Sequence, residues 1–176
     1  MEKTNSGCIK IAIVGPESSG KTTLCNQLAN YFNGAFVPEF ARQYLSNLNR
    51  PYTLQDVLFI ANEQLELEQK IEQQGNKIIF CDTNLITIKV WLKVKYNYFN
   101  AQLEHNMLRN FYHTHFLTVP DLPWENDSLR EHPYFRNELL NMHEDILNLN
   151  NIKFSLIDGI GEDRINKAIE EVKKII

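Results

Sequence analysis

The sequence predicts an α/β domain built on a parallel sheet, and three observations carry that expectation. Short apolar, β-branched runs alternate with longer segments in which apolar residues recur at helical spacing. The first run leads straight into a glycine-punctuated turn that opens a helix. The third run is near-continuously apolar, as a strand buried on both faces must be, and it ends at an acid, Asp82.

Ile9-Lys10-Ile11-Ala12-Ile13-Val14 is the first strand, halted at Gly15. Residues 21–31 carry Leu24, Leu28 and Tyr31 on one helical face. A second short strand is expected over residues 35–37. A helix follows near Pro38 or Glu39, because proline suits a first helical turn, where its missing N–H costs nothing. Residues 53–75 make the longest helix. Thr53 with Asp56 resembles a capping box, Leu54, Val57, Leu58, Ala61 and Leu65 form one apolar face, and Gly75 fits the stop. Strand three covers residues 77–81, and helices follow over 84–95 and 101–110. The fourth strand is expected at 116–119, and polar residues with proline make 121–132 a loop. A helix over 134–149, a strand over 153–157 and a helix over 162–176 close the chain. No repeat or linker interrupts the 176 residues, so one domain, 1–176, is expected.

The composition, 43% apolar and 23% charged, is that of an ordinary soluble globular protein. A net charge of −4 disfavours extended binding to nucleic acid or anionic membrane. No stretch approaches the roughly 20 apolar residues of a membrane span, and the first seven residues are polar, unlike a signal peptide. Three widely spaced cysteines without a CxxC pair read as thiols, Cys25 and Cys81 as small core residues, so a reducing cytoplasm is expected.

Gly15-Pro16-Glu17-Ser18-Ser19-Gly20-Lys21-Thr22 matches G-x-x-x-x-G-K-[ST] in full, with the strand and helix it requires on either side. The glycines let the backbone fold tightly, so that successive N–H groups point at phosphate oxygens beside a helix N-terminus. Lys21 sets a cation against the β- and γ-phosphates, and Thr22 offers a hydroxyl to Mg²⁺. The expected nucleotide contacts are Gly15, Glu17, Ser18, Ser19, Gly20, Lys21, Thr22 and Thr23. A guanine signature, N-K-x-D, is missing: Asn76-Lys77 continues into Ile78-Ile79, which argues against a GTPase.

Ligands of parallel sheets bind beyond the carboxyl ends of the strands, and two further acids fall there. Asp82, closing an apolar strand, suits Mg²⁺ or the phosphate loop, or else it caps the next helix. Glu39, after the second strand, could take the proton of an attacking hydroxyl, or else serve as a first-turn acid. Arg42, one turn on, would pair with Glu39 or with substrate. In the loop at about 121–132, a lid would bring Arg130 to the phosphates and Trp124 to a ring. The plainer alternative makes Trp124 an anchor and Arg130 a solvated charge. His113-Thr114-His115 lacks the glycine of a nucleotidyl-transfer motif, and with His105, His132 and His143 scattered no ligand cluster is expected. By position, the turn at 159–164 is assigned to adenine.

Four stretches together make the chain resemble the ribosylnicotinamide kinase domain of NadR-like NAD-salvage proteins, from about Ile9 to the C-terminus. They are the phosphate loop, Pro38-Glu39-Phe40-Ala41-Arg42-Gln43-Tyr44, Asp82-Thr83-Asn84-Leu85-Ile86-Thr87, and Trp124-Glu125-Asn126-Asp127-Ser128-Leu129-Arg130. The resemblance implies a three-layer P-loop kinase fold with a five-stranded parallel sheet in order 2-3-1-4-5. It also implies ATP and Mg²⁺ as cofactors and phosphorylation of the 5′-hydroxyl of nicotinamide riboside. Lys21 and Thr22 would handle ATP and Mg²⁺, Glu39 and Arg42 the acceptor, Asp82 the metal or acceptor hydroxyl, and Trp124, Asp127 and Arg130 the lid. Whether Glu39 or Asp82 is the general base stays open. Full-length members usually carry a nucleotidylyltransferase domain and often a helix-turn-helix ahead of the kinase. Only eight residues precede the first strand here, so those activities are expected to be absent from this chain. The competing readings are a switch ATPase coupled to a partner protein and a kinase for another nucleoside-like alcohol. Acceptor dependence of ATP turnover separates the first of these.

Overall fold

The computed structural model describes residues 7–176, so the polar opening segment lies outside the described residues. In chain order the elements are β1 (Ile9–Val14), α1 (Lys21–Tyr31), β2 (Ala35–Val37), α2 (Phe40–Ser46), α3 (Leu54–Glu72) and β3 (Ile78–Asp82). They continue with α4 (Leu85–Tyr96), α5 (Ala101–Arg109), β4 (Thr114–Thr118), α6 (Arg136–Leu149), β5 (Phe154–Ile157) and α7 (Glu162–Lys173). The strands form one parallel sheet in order β2-β3-β1-β4-β5.

Strand alternation sorts the side chains into two cores and hence three layers. Ile11 and Ile13 of β1, with Phe80 and Phe116, pack under Leu24, Cys25 and Leu28 of α1 and Ala168 and Val172 of α7. Their neighbours Ala12 and Val14, with Ile79, Cys81 and Leu117, meet Val57, Ile60, Ile86, Leu92 and Leu147 on the other face. Cys25 and Cys81 are buried free thiols in these cores. Tyr31 does not join them: at 58% exposed it lies on the rim, edge-on to Phe32. Lys10 can occupy the central strand because it meets Glu68 at 2.8 Å and Glu72 at 2.6 Å. Burying a lysine is tolerable only with such partners.

Two boundaries differ informatively from expectation. β4 begins at Thr114, two residues before its apolar run, because Thr114 pairs with Ile11 and His115 with Ala12. Both polar residues are buried there, so polarity hid them from the sequence pattern. α6 begins at Arg136, since Tyr134 is almost fully exposed and adds nothing to the buried stripe.

The expected capping box is present. Asp56, 4% exposed, accepts from the Thr53 backbone N–H and hydroxyl at 2.7 Å each, while Thr53 accepts from the Asp56 N–H. The same carboxylate holds Tyr44 Oη and both Arg50 nitrogens, each at 2.7 Å, which keeps it well below the usual carboxylate range. One side chain thus caps α3 and ties it to α2 and to the segment before it. Replacing it by alanine (Asp56→Ala) should lower the melting temperature by roughly 5–10 °C in a circular-dichroism scan, with little change if the network is incidental.

Candidate functional site

The site lies where the carboxyl ends of β1, β2 and β3 meet the start of α1. β1 ends at Val14 and passes into Gly15, whose φ is 140°. A Cβ there would sit 2.5 Å from Thr118 Oγ1 and 2.8 Å from its carbonyl oxygen, so only glycine lets the loop pass β4. Ser18 and Gly20 also take positive φ, 53° and 77°, and turn the chain into α1. Ser19, fully buried, anchors the bend by donating to Pro16 O at 2.7 Å and meeting Thr118 Oγ1 at 2.6 Å. In this arrangement Lys21 Nζ curls back to donate to Pro16 O at 2.7 Å.

Asp82, at the end of β3 and 1% exposed, accepts from Thr22 Oγ1 at 2.6 Å. It is not the helix cap, because Asn84 takes that position and accepts from Ile86 N. The turn between them is strained: Thr83, a β-branched residue, has φ 77° while its backbone N–H donates to Ile13 O. Asp82 Oδ1 and Thr83 Oγ1 are both buried without a hydrogen-bond partner. The orphaned Asp82 oxygen, on the carboxylate that Thr22 touches, is the kind of hard donor a magnesium ion prefers.

Glu39 is the residue before α2 and makes no capping hydrogen bond. Its carboxyl lines the cavity, raised above the usual carboxylate range by burial and then by Asp82, with Lys21 and Arg42 opposing. Asp82 is raised in the same direction, chiefly by burial, and pulled back by Thr22 and Lys21. Lys21 is lowered by burial, which Glu39 and Asp82 counteract. The three groups therefore share one electrostatic neighbourhood, with Asp82 buried and Lys21 and Glu39 half-buried on the cavity wall.

Residues 121–132 form an irregular loop lying on the phosphate loop. Ser18 Oγ accepts from Glu125 N at 3.0 Å and from Arg130 Nη1 at 3.2 Å. Glu17 Oε2 accepts from the backbone N–H groups of Glu131 and His132 at 3.0 and 2.9 Å. Arg42 pairs with Asp127 of this loop at 2.6 Å, not with Glu39. Arg130 reaches the cavity wall, whereas Trp124 and Asp127 stand outside it. The Trp124 ring lies against Arg136, 5.9 Å away, and its Nε1 donates to Asn126.

The cavity, about 530 Å³, runs from the phosphate loop past Glu39 to a mostly apolar wall with Ala41, Leu45, Tyr52, Val90 and Trp91. Trp91 and Tyr52 meet edge to face at 5.2 Å, with Trp91 Nε1 donating to Tyr52 Oη at 3.2 Å. The Tyr52 hydroxyl in turn donates to Glu131 Oε2, which Lys95 also holds. Nothing in the sequence singles out Tyr52 or Trp91. Trp91 merges into an apolar helix, and its spacing from Thr87 is the only local signal. Position along the chain points Arg164 toward adenine, but it is buried and its guanidinium donates to Ser19 O, Val119 O and Gly159 O and pairs with Asp121. It ties the phosphate loop to the base of the covering loop. Among the described residues no cluster of three or more His, Cys, Asp or Glu is placed to hold a metal, and no helix is long and apolar enough to cross a membrane.

Against known proteins, a family model described as an AAA domain matches residues 10–164. The trifunctional NAD biosynthesis/regulator protein NadR of Escherichia coli (strain K12) is 30% identical over 174 residues, covering 94% of this chain and 42% of that protein. Its Salmonella typhimurium counterpart is 28% identical with the same coverage. The chain thus spans less than half the length of these relatives. Among solved structures, a NadR protein in complex with NAD and AMP-PNP superposes with TM-score 0.78 at 20% identity, over 95% of this chain and 49% of that one. A thymidylate kinase from Ehrlichia chaffeensis superposes with TM-score 0.67 at 21% identity, over 96% and 98%. At these identities the superpositions establish the fold, that of a P-loop kinase with strand order 2-3-1-4-5. With the phosphate loop in place and the family model matching nearly all of the described residues, the chain belongs to the AAA-domain family of P-loop proteins.

Proposed function

We propose that this chain is an ATP- and Mg²⁺-dependent kinase acting on the 5′-hydroxyl of a nucleoside-like acceptor, nicotinamide riboside, to give nicotinamide mononucleotide. One observation carries the reading. The cavity does not end at the phosphate loop but continues past Glu39 to the wall of Tyr52 and Trp91, leaving a chamber for an acceptor. A switch ATPase that activates only water needs no such chamber. The likeness to NAD biosynthesis proteins, and to a NadR fold that holds NAD and AMP-PNP, supports nicotinamide riboside as the acceptor.

In this reading the phosphate loop cradles ATP, and Lys21 and Arg130 face the charge that spreads over the transferred phosphoryl group. Thr22 and Asp82 would hold Mg²⁺, which when bound neutralises the β- and γ-phosphates. Asp82 is engaged with Thr22, which leaves Glu39, free of side-chain hydrogen bonds among the described residues, to accept the proton of the attacking hydroxyl. Trp91, held edge to face by Tyr52, would offer its ring to the acceptor's base, and a cationic pyridinium gains more from such a ring than a neutral base does.

The test is ADP formation from ATP and Mg²⁺ by the purified protein, with nicotinamide riboside, adenosine, deoxycytidine or no acceptor, beside Lys21→Ala. Rapid ADP formation is expected with nicotinamide riboside alone and should be lost in Lys21→Ala. Slow turnover indifferent to every acceptor would sink the kinase reading in favour of a switch ATPase, and rapid turnover with a different nucleoside would reassign the substrate.

A further inference from the structure

Resting on that reading, we infer that Thr87, positioned by His143, reads a secondary hydroxyl of the acceptor's sugar. Both residues line the cavity, and neither takes part in the transfer step described above. His143 is 1% exposed on α6. Its Nδ1 lies 2.7 Å from the Leu139 carbonyl oxygen, which can only accept, so the ring proton resides on Nδ1. Burial also keeps the ring neutral at physiological pH. Nε2 is therefore a bare lone pair, and the Thr87 hydroxyl, 3.1 Å away on α4, must donate to it.

That bond uses the only proton of the Thr87 hydroxyl. The oxygen is left with lone pairs, and no donor from the described residues reaches them. A half-buried oxygen that can only accept, on a cavity wall, calls for a donor supplied by the ligand. A threonine free to rotate would tolerate either a donor or an acceptor. His143 removes that freedom and makes the position selective.

Position along α4 names the donor. Thr87, Val90, Trp91 and Val94 line the cavity at helical spacing, and Thr87 precedes Trp91 by one turn, on the side of Asp82. Four residues of helix rise about 6 Å, close to the span from a base ring to its ribose. A ring against Trp91 with its 5′-oxygen directed at Glu39 therefore places the sugar, not the ring substituent, at the level of Thr87. Its 2′- or 3′-hydroxyl donates to Thr87 Oγ1. Thr87 is a specificity determinant in contact with substrate, and His143 is a positioning residue acting through it.

The experiment measures kcat and KM for nicotinamide riboside and its 2′-deoxy and 3′-deoxy analogues, with wild type, Thr87→Val, Thr87→Ser and His143→Gln, each checked by a melting scan. Wild type should disfavour one deoxy analogue by roughly tenfold or more. Thr87→Val should raise KM for the parent riboside roughly tenfold, leave that analogue unchanged and so abolish the discrimination. Thr87→Ser, and His143→Gln with its amide oxygen in place of Nε2, should keep it. If Thr87→Val weakens parent and both analogues equally, the residue merely braces α4 against α6 and the inference fails while the kinase reading stands. The inference fails likewise if wild type does not discriminate against either deoxy analogue. Failure of wild type to phosphorylate any riboside overturns both.

Discussion

Glu39→Gln is expected to lower kcat by about 10²–10⁴-fold with little change in KM for ATP. The amide keeps the size and hydrogen-bonding reach of the side chain and removes only its capacity to take a proton. Asp82→Asn should behave differently. Asp82 is engaged by Thr22 at 2.6 Å, and its second oxygen is buried and unpaired. Its loss should therefore weaken the response to Mg²⁺ and raise the concentration needed for half-maximal rate. A titration of rate against Mg²⁺ for both variants separates the roles. If Asp82→Asn abolishes kcat at saturating Mg²⁺ and Glu39→Gln keeps most of it, the general base is Asp82 and not Glu39.

Acidification from pH 7 to pH 4 is expected to remove a large part of the folding free energy. Burial pushes the imidazoles of His115 and His143 down to about 4, against 6.5 for a free histidine. Above pH 6.5 both are neutral whether the chain is folded or not, and they contribute no pH dependence. Between 6.5 and about 4 the unfolded chain binds their protons while the folded chain does not, so stability falls. Below about 4 both states are protonated and the loss levels off. That gap is worth about 3 kcal/mol for each histidine, which is substantial against the roughly 5–15 kcal/mol that holds a domain together. Glu39 and Asp82 act in the opposite sense: their carboxyls are raised in the folded state, so protonation there returns part of the loss. Urea unfolding at pH 7 and pH 4.5 should show the drop, with a shallower slope in His143→Gln. An equal slope in the variant would show that His143 titrates in place without cost to the fold.

The order of elements was legible because periodicity is a local property. The β-branched run into Gly15, the Thr53–Asp56 box and the 3.6-residue stripe of α3 each report on neighbours a few residues away. The same holds for the phosphate loop, whose chemistry resides in one contiguous stretch. Legibility failed where a residue's environment came from elsewhere in the chain. Thr114 and His115 read as polar and outside a strand, yet both pair with β1, His115 also with β5, and both are buried. Trp124 invited a stacking role because it is a tryptophan in a polar loop. Tyr52 and Trp91, 39 residues apart, also meet on the cavity wall, a pairing no local pattern announces.

By itself the sequence determined that this protein is α/β, that its phosphate loop lies between Gly15 and Thr22, and that acids close its second and third strands. These follow from local sterics, hydrogen bonding and amphipathic spacing, which contiguous residues settle among themselves. Only the tertiary structure decided that Asp82 serves Thr22 while Asn84 caps the helix, and that Arg42 answers Asp127 and not Glu39. It also decided that Arg164 braces the phosphate loop, and that His143 commits the Thr87 hydroxyl. Each is a choice of partner across dozens of residues. A charge or a lone pair within a few ångströms matters far more in a desolvated site than in water, and that proximity exists only once the sheet has brought the loops together.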